Sequence, residues 1–365
     1  MRVMLLVTDF ERGGTPLRIA RLARALHSAG VEVHAGCLAP RGPVSADLEA
    51  AGIATFACDA EDARDFLALK RLSQHTRRLH PNLIHATLLH ANVAARLVGV
   101  VQRIPVIAAT ATIEVERPWH RVLERATAGI ERAHIVNSRA VAEHVVRVFG
   151  LPRRRVFLVP PSLDPWPQRV ERSVARAALQ IPDHEFVVAW VGRFDPVKRL
   201  DLLIRSAEIM TAIPARFLIV GDGPDRGRLE QMLRLSNAAR IVHLLGWQTA
   251  IGPILSAADA FLFPSLTEGM PNAVLEAMAC GLPVVASDIP VLRELAGDDE
   301  RCLLVGGDEP KDYADLLLKL RDDPALRAKL GQRAATWAQT HLDPQRTVEA
   351  VLRIYNRVLA AQKRG

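Results

Sequence analysis

Residues 260–286 read A-F-L-F-P-S-L-T-E-G-M-P-N-A-V-L-E-A-M-A-C-G-L-P-V-V-A. Two short apolar runs, Ala260–Phe263 and Pro283–Ala286, have strand character and flank a helical stretch, the repeating unit of a parallel sheet. The helix opens on Gly269-Met270-Pro271-Asn272. Pro271 suits a first helical turn, where its missing N–H costs nothing, and the free amides after Gly269 can point at an anion. Glu268 and Glu276 stand eight residues apart on either side of this start, so two carboxylates are presented at one helix N-terminus. Such a site can hold a sugar and a phosphate together. A capped surface helix with acids placed to suit its dipole has the same layout, and the rest of the chain decides between the two.

Apolar, β-branched runs alternate with helical stretches along the whole chain. Strand candidates are Val3–Thr8, Val31–Leu38, Leu83–Thr87, Pro105–Ala109, His134–Asn137 and Val156–Val159, with amphipathic segments such as Leu17–Ala29 and Asp65–Leu79 between them. The pattern restarts after Pro160 with Phe186–Val191, Arg216–Val220, Ile241–Leu244, Ala260–Phe263, Pro283–Ala286 and Cys302–Val305. This is an α/β chain of doubly wound parallel sheets. Pro160-Pro161-Ser162-Leu163-Asp164-Pro165-Trp166-Pro167 has four prolines in eight residues and reads as a linker. The 365 residues therefore divide into domains over 1–163 and 164–343, with a closing helical segment over 344–365.

Hydrophobic residues make up 49%, enough to fill two cores. No apolar run approaches the ~20 residues of a membrane span, and Met1–Thr8 is a short strand, so a soluble, unexported, cytoplasmic protein is expected. Cys37, Cys58, Cys280 and Cys302 stand far apart, which suggests neither a disulfide framework nor a zinc site. Residues 1–165 hold 22 Lys and Arg against 15 Asp and Glu, whereas residues 166–365 hold 25 of each, so the whole net charge of +7 lies in the first half. Residues 117–155 concentrate it, with nine Arg and three Glu. Arg117, Arg121 and Arg125 recur every four residues, on one side of a helix whose other side offers Val122, Leu123, Ala126 and Ile130. That face is either solvated or touches an anionic membrane or an acidic, lipid-linked acceptor. No recognition motif or aromatic interleaving accompanies the arginines, so nucleic acid is not an expected partner.

In open α/β sheets ligands bind beyond the carboxyl ends of the strands. Four loops of interest lie there. Thr8-Asp9-Phe10-Glu11-Arg12-Gly13-Gly14-Thr15 follows the first strand, and its paired glycines let backbone amides approach a phosphate, though a tight turn favours glycine too. In Val191-Gly192-Arg193-Phe194-Asp195-Pro196-Val197-Lys198, Arg193 and Lys198 flank a turn within reach of a pyrophosphate. Val220-Gly221-Asp222-Gly223-Pro224 is a further glycine turn, in which Asp222 and Asp225 read as turn and helix-cap residues. The Glu268–Glu276 element is the fourth.

Taken in this order, the loops resemble those of the retaining glycosyltransferases of family four. The resemblance spans essentially the whole chain and is most specific in S-L-T-E-G-M-P-N-A-V-L-E-A-M-A-C-G-L-P-V-V-A-S-D at 265–288. It implies a GT-B fold, two Rossmann-like domains facing across a cleft, with the final helix (about Pro344–Ala361) crossing back to the first. It implies that Arg193 and Lys198 bind the donor's diphosphate, Glu268 the sugar hydroxyls and Glu276 the ribose. Gly14, after Gly13, would offer its amide to the phosphate or sugar. No cofactor or D-x-D metal site is implied, since Arg, Lys and helix dipoles stabilise the leaving nucleoside diphosphate.

Two departures stand out. Where the family commonly has T-x-H after the strand near Pro105, this chain has Ala109-Thr110-Ala111-Thr112 and no histidine. His85 and His90, in and after the preceding strand, are the nearest candidates for a catalytic or acceptor-binding role, against the ordinary structural hydrogen bond of a strand-end histidine. The linker reads Pro160-Pro161-Ser162-Leu163-Asp164 in place of P-N-G-hydrophobic-D, a stiffer hinge. The expected activity is transfer of a sugar from a nucleotide-sugar donor to an acceptor hydroxyl with retained configuration, in glycolipid, polysaccharide or cell-envelope glycan synthesis. Front-face departure fits, with the donor phosphate helping to deprotonate the acceptor. The other readings are a GT-B phosphorylase, a sugar-nucleotide epimerase and a catalytically silent nucleotide-sugar-binding protein.

Overall fold

The computed structural model describes residues 1–11, 13–62, 65–113, 118–298 and 301–362. The chain forms two compact units, Met1–Asp164 joined by the chain from Asp343 onward, and Pro165–Leu342.

In the first unit the elements run β1 (Arg2–Val7), α1 (Gly14–Ser28), β2 (Glu32–Cys37), α2 (Pro43–Glu49), β3 (Ala54–Ala57), α3 (Phe66–Leu79), β4 (Leu83–Thr87), α4 (Leu89–Gln102), β5 (Val106–Thr110), α5 (Pro118–Thr127), β6 (Ala133–Val136), α6 (Arg139–His144) and β7 (Val156–Leu158). All strands are parallel, in the order β3-β2-β1-β4-β5-β6-β7. Val3 to Val7 are wholly buried because helices cover both faces of the sheet. Alternation along β1 divides them: Val3, Leu5 and Val7 join Ile19, Ala23 and Leu26 of α1, while Met4 and Leu6 join Leu72 of α3 and Ala91, Ala95 and Val98 of α4.

The second unit runs α7 (Arg172–Ala178), β8 (Phe186–Val191), α8 (Leu200–Ile209), β9 (Ala215–Val220), α9 (Arg226–Arg234), β10 (Val242–Gly246), α10 (Gly252–Ala257), β11 (Ala260–Phe263), α11 (Asn272–Ala279), β12 (Val284–Ser287), α12 (Pro290–Ala296), β13 (Cys302–Val305), α13 (Pro310–Asp322) and α14 (Pro324–His341). Its parallel sheet has the order β10-β9-β8-β11-β12-β13. The last helix, α15 (Pro344–Gln362), places Val351, Ile354, Tyr355 and Val358 in the core beside α1. Four such side chains at roughly 1.5–3 kcal/mol each make this helix part of the first unit's fold. Strand order reverses beside β1 and beside β8, which opens the ligand crevice of a doubly wound sheet at the β1/β4 and β8/β11 carboxyl ends.

The structure corrects two expectations. The edge strand β3 has no counterpart among the sequence-based candidates; it is four residues long and only Phe56 is buried, so it carries too little apolar pattern to be seen. Helix α5 and the turn after it bury a narrower face than expected. Val122, Ala126 and Ile130, expected to face inward, are exposed, Leu123 is half-buried, and Glu124 and Ala128 are buried. The reason is Arg96 of α4, which draws Glu124 under the helix (Nη1 to Oε2, 2.5 Å). Arg117, expected on the same helix, lies outside the described residues, whereas Arg121 and Arg125 are exposed. Among the described residues no helix is long and apolar enough to cross a membrane.

Candidate functional site

In the second unit the structure brings two of the expected residues, Lys198 and Glu268, together at the carboxyl ends of β8 and β11. A single 3-10 turn, Pro196–Lys198, follows β8; Asp195 caps it by accepting from the Val197 N–H at 3.2 Å. The Leu266 N–H donates to the Val197 carbonyl at 2.9 Å, tying this loop to the one after β11 and setting Lys198 opposite Glu268. Lys198 Nζ is ion-paired to Glu268 Oε1, which also accepts from Ser265 Oγ at 2.9 Å, and the ammonium lies 5.9 Å from the Phe263 ring centroid. Glu268 is 8% exposed, so its charge is satisfied within the site. Arg193, in the same loop as Lys198, is exposed and reaches into solvent.

Helix α11 begins one residue later than expected. Pro271 is its N-cap in extended conformation, Asn272 is the first helical residue, and Glu276 lies half-buried in the body of the helix. Gly269 and Met270 are buried in the turn before it. The first-turn amides have no intrahelical acceptors, so an anion at this end is favoured. The glycine turns after β8 and β9 serve packing: a Cβ on Gly221, at φ +136°, would lie 1.8 Å from the Gly192 carbonyl oxygen. Asp225 is the N-cap residue of α9, as expected, but its carboxylate makes no cap hydrogen bond and instead accepts from Arg228 at 2.7 Å through both oxygens.

The first unit holds the remaining candidates. Gly13 is the N-cap of α1, and a Cβ on Gly14 would meet nothing within 4 Å, so the backbone stands open there. Arg18, one turn further, makes no hydrogen bond or ion pair among the described residues, and burial brings its pKa down to about 10. His85 sits inside β4 with its Nδ1 2.7 Å from the Tyr355 hydroxyl of α15. Burial, then the nearby Arg18 and His134, holds its imidazole down to about 3 from 6.5. A 2% exposed ring with one nitrogen on Tyr355 belongs to the packing of β4 against α15, not to a solvent-facing acid or base. His90 lies in an aromatic group with Trp119 (6.3 Å between centroids) and His120 (6.0 Å).

Sequence reasoning passed over Ser265, Thr110, His134, Glu131 and Arg96. Thr110 Oγ1 lies 2.9 Å from His134 Nε2, His134 Nδ1 lies 2.6 Å from Glu131 Oε1, and Glu131 Oε2 accepts from Arg96 Nε and Nη2 at 2.8 and 2.5 Å. The i,i+3 pairing of Glu131 with His134 was the one local signal.

These features define a protein with two Rossmann-like parallel-sheet domains, the second carrying a Lys198–Glu268 ion pair at the carboxyl ends of β8 and β11. The family model for Glycosyltransferase Family 4 matches residues 12–166, and that for Glycosyl transferases group 1 matches residues 185–323. A D-inositol 3-phosphate glycosyltransferase from Thermomonospora curvata is 33% identical over 270 residues, which cover 68% of this chain and 62% of the relative. One from Saccharomonospora viridis is 32% identical over 271 residues, 70% of this chain and 62% of the relative. The chain thus spans 62% of the length of these curated relatives. Among solved structures, Anabaena Alr3699/HepE in complex with UDP and glucose superposes with a TM-score of 0.85 at 19% identity, covering 98% of this chain and 100% of that one. Sucrose-phosphate synthase from Thermosynechococcus elongatus has a TM-score of 0.82 at 22% identity, covering 99% and 100%. The chain belongs to the family 4 glycosyltransferases and has the GT-B pair of domains.

Proposed function

We propose that the protein moves a sugar from a nucleotide-sugar donor to an acceptor hydroxyl with retained anomeric configuration, the second unit binding the donor and the first the acceptor. The observation that carries this reading is the Lys198–Glu268–Ser265 cluster at the carboxyl ends of β8 and β11. A donor diphosphate competes for the Lys198 ammonium, and Glu268, still fixed by Ser265, is then released to accept from sugar hydroxyls. Arg193 adds a second cation to the diphosphate, Glu276 accepts from the ribose, and the N–H groups of Gly269, Met270 and Asn272 face the anion. In the first unit, Gly14 offers its open backbone to a phosphate or sugar. Two cations and a helix start supply the charge stabilisation that a metal gives elsewhere, so the reaction is metal-independent in this reading.

The acceptor carries an anionic group. Support comes from Arg18, a half-buried guanidinium without a partner among the described residues, and from the curated relatives, whose names specify D-inositol 3-phosphate. A lipid-linked acceptor at an anionic membrane is the second reading; it is favoured by Trp119 and Val122, 46% and 68% exposed on α5 beside Arg121 and Arg125. Thermal unfolding with UDP-, GDP- and ADP-sugars tests the donor assignment: a ligand at 100 times its Kd adds ~2.7 kcal/mol of stability. No shift with any of them would remove it.

A further inference from the structure

Strand β3 is an outer edge of the first sheet, and its register decides which of its backbone groups are free. The Cys58 N–H donates to the Cys37 carbonyl of β2 at 2.9 Å, so Phe56 also faces β2 while Thr55 and Ala57 turn their N–H and C=O groups away from the sheet. A bare edge offers donors and acceptors in equal number. Here the acceptors are taken: the Thr55 carbonyl accepts from Arg41 Nη2 at 3.5 Å, and the Ala57 carbonyl accepts from the His75 ring. The N–H groups of Thr55 and Ala57 have no acceptor among the described residues, so this edge presents donors. Beside it lies an open cavity of about 680 Å³, within the roughly 300–1,000 Å³ of small-molecule sites. Its apolar floor is a stacked pair. A Cβ on Gly36 of β2 would stand 2.1 Å from Phe56 Cζ, so only glycine lets that ring lie over β2, and His75 of α3 stacks on it with centroids 4.5 Å apart.

Arg41, Arg78 and His34 stand around this floor. Arg78 is exposed and makes no hydrogen bond or ion pair among the described residues. Arg41 gives Nη1 to Glu49 at 2.7 Å, and the long contact of its Nη2 to Thr55 is weak enough for a phosphate oxygen to replace. His34 Nε2 lies 3.3 Å from Glu32 Oε1, and Asp59 is the one carboxylate among the lining residues. Guarding the edge against strand pairing accounts for Arg41 and His75, but not for the unpaired Arg78 or for a cavity rich in donors and floored by rings. We propose that this cavity binds an organic phosphate, with a flat body against the Phe56–His75 pair, the phosphate between Arg41, Arg78 and the N–H groups of Thr55 and Ala57, and a hydroxyl on Asp59. Guanidinium forks match the several oxygens of a phosphate. The site is built wholly from the first unit and does not depend on the transferase reading, since none of its residues is among the donor or acceptor residues named above.

The test titrates phenyl phosphate, which carries a ring and a phosphate, into the wild-type chain, Arg78→Gln and Lys198→Ala, followed by calorimetry and by the His75 ring signals in NMR. Saturable binding is expected in wild type, about ten-fold weaker in Arg78→Gln and unchanged in Lys198→Ala, which separates this cavity from the donor loops. Arg78 is exposed and unpaired, so its replacement leaves the fold intact. Burial, then the nearby Arg78, holds the His75 imidazole below its ordinary pKa, and a bound phosphate offsets the arginine, so His75 should titrate at higher pH in the complex. Phenol and inorganic phosphate, each with one half of the probe, should bind more weakly. Equal affinity in Arg78→Gln and wild type, or loss of binding in Lys198→Ala, would overturn the site. Inorganic phosphate binding as tightly as phenyl phosphate would overturn the organic ligand.

Discussion

Lys198 and Glu268 hold each other, and this pairing gives each substitution at the site a distinct signature. Lys198→Ala and Glu276→Ala are expected to weaken binding of the bare nucleoside diphosphate by roughly 1.5–3 kcal/mol each, the usual worth of a charge-assisted hydrogen bond, while Glu268→Ala mainly lowers turnover. Calorimetric titration decides this, and unchanged affinity in both of the first two variants would remove the assignment. These residues were legible in the sequence because spacing around Gly269-Met270-Pro271-Asn272 reports the helix start directly. Their mutual contact was not, since Lys198 and Glu268 are seventy positions apart and meet through the pairing of β8 with β11 and the Leu266-to-Val197 hydrogen bond between the loops that follow.

At the scale of the element, α5 shows where patterning misleads. Its apolar residues look like a buried face, yet the cost of stranding Arg96 in the core decides the orientation, and Glu124 takes the inward side. Breaking this network is therefore costly: Arg96→Met leaves two carboxylates buried without their cation and should cost about 3–5 kcal/mol in urea unfolding. A change under about 1 kcal/mol would mean that water reaches the pair. Strand β4 and helix α15 give a pH signature. His85 is held neutral, to about 3 against 6.5, by burial and then by Arg18 and His134, so the unfolded chain takes up a proton that the folded chain refuses. Its contribution is intact above about pH 6.5 and is lost progressively as pH falls toward 3. Unfolding free energies measured across that window should fall less steeply in His85→Gln, and an unaltered slope would mean the acid sensitivity lies elsewhere.

For the whole molecule, the two sheets and the return of α15 follow from long alternating runs, which is why they were legible, while the edge strand β3 was too short to register. On the membrane reading, the exposed Trp119 and Val122 beside Arg121 and Arg125 predict a salt-sensitive attachment, each basic residue contributing about 1 kcal/mol near an anionic surface. Co-sedimentation with anionic vesicles should drop when Arg121 and Arg125 become Gln; equal partitioning to neutral vesicles would point to a soluble acceptor. The central claim is metal-independent transfer with retention, and the most direct measurement is an NMR time course of an α-linked UDP-sugar with acceptor in excess EDTA. An α-linked product appearing in step with released UDP is expected. A β-linked product, or a complete loss of turnover that Mg²⁺ restores, would contradict it.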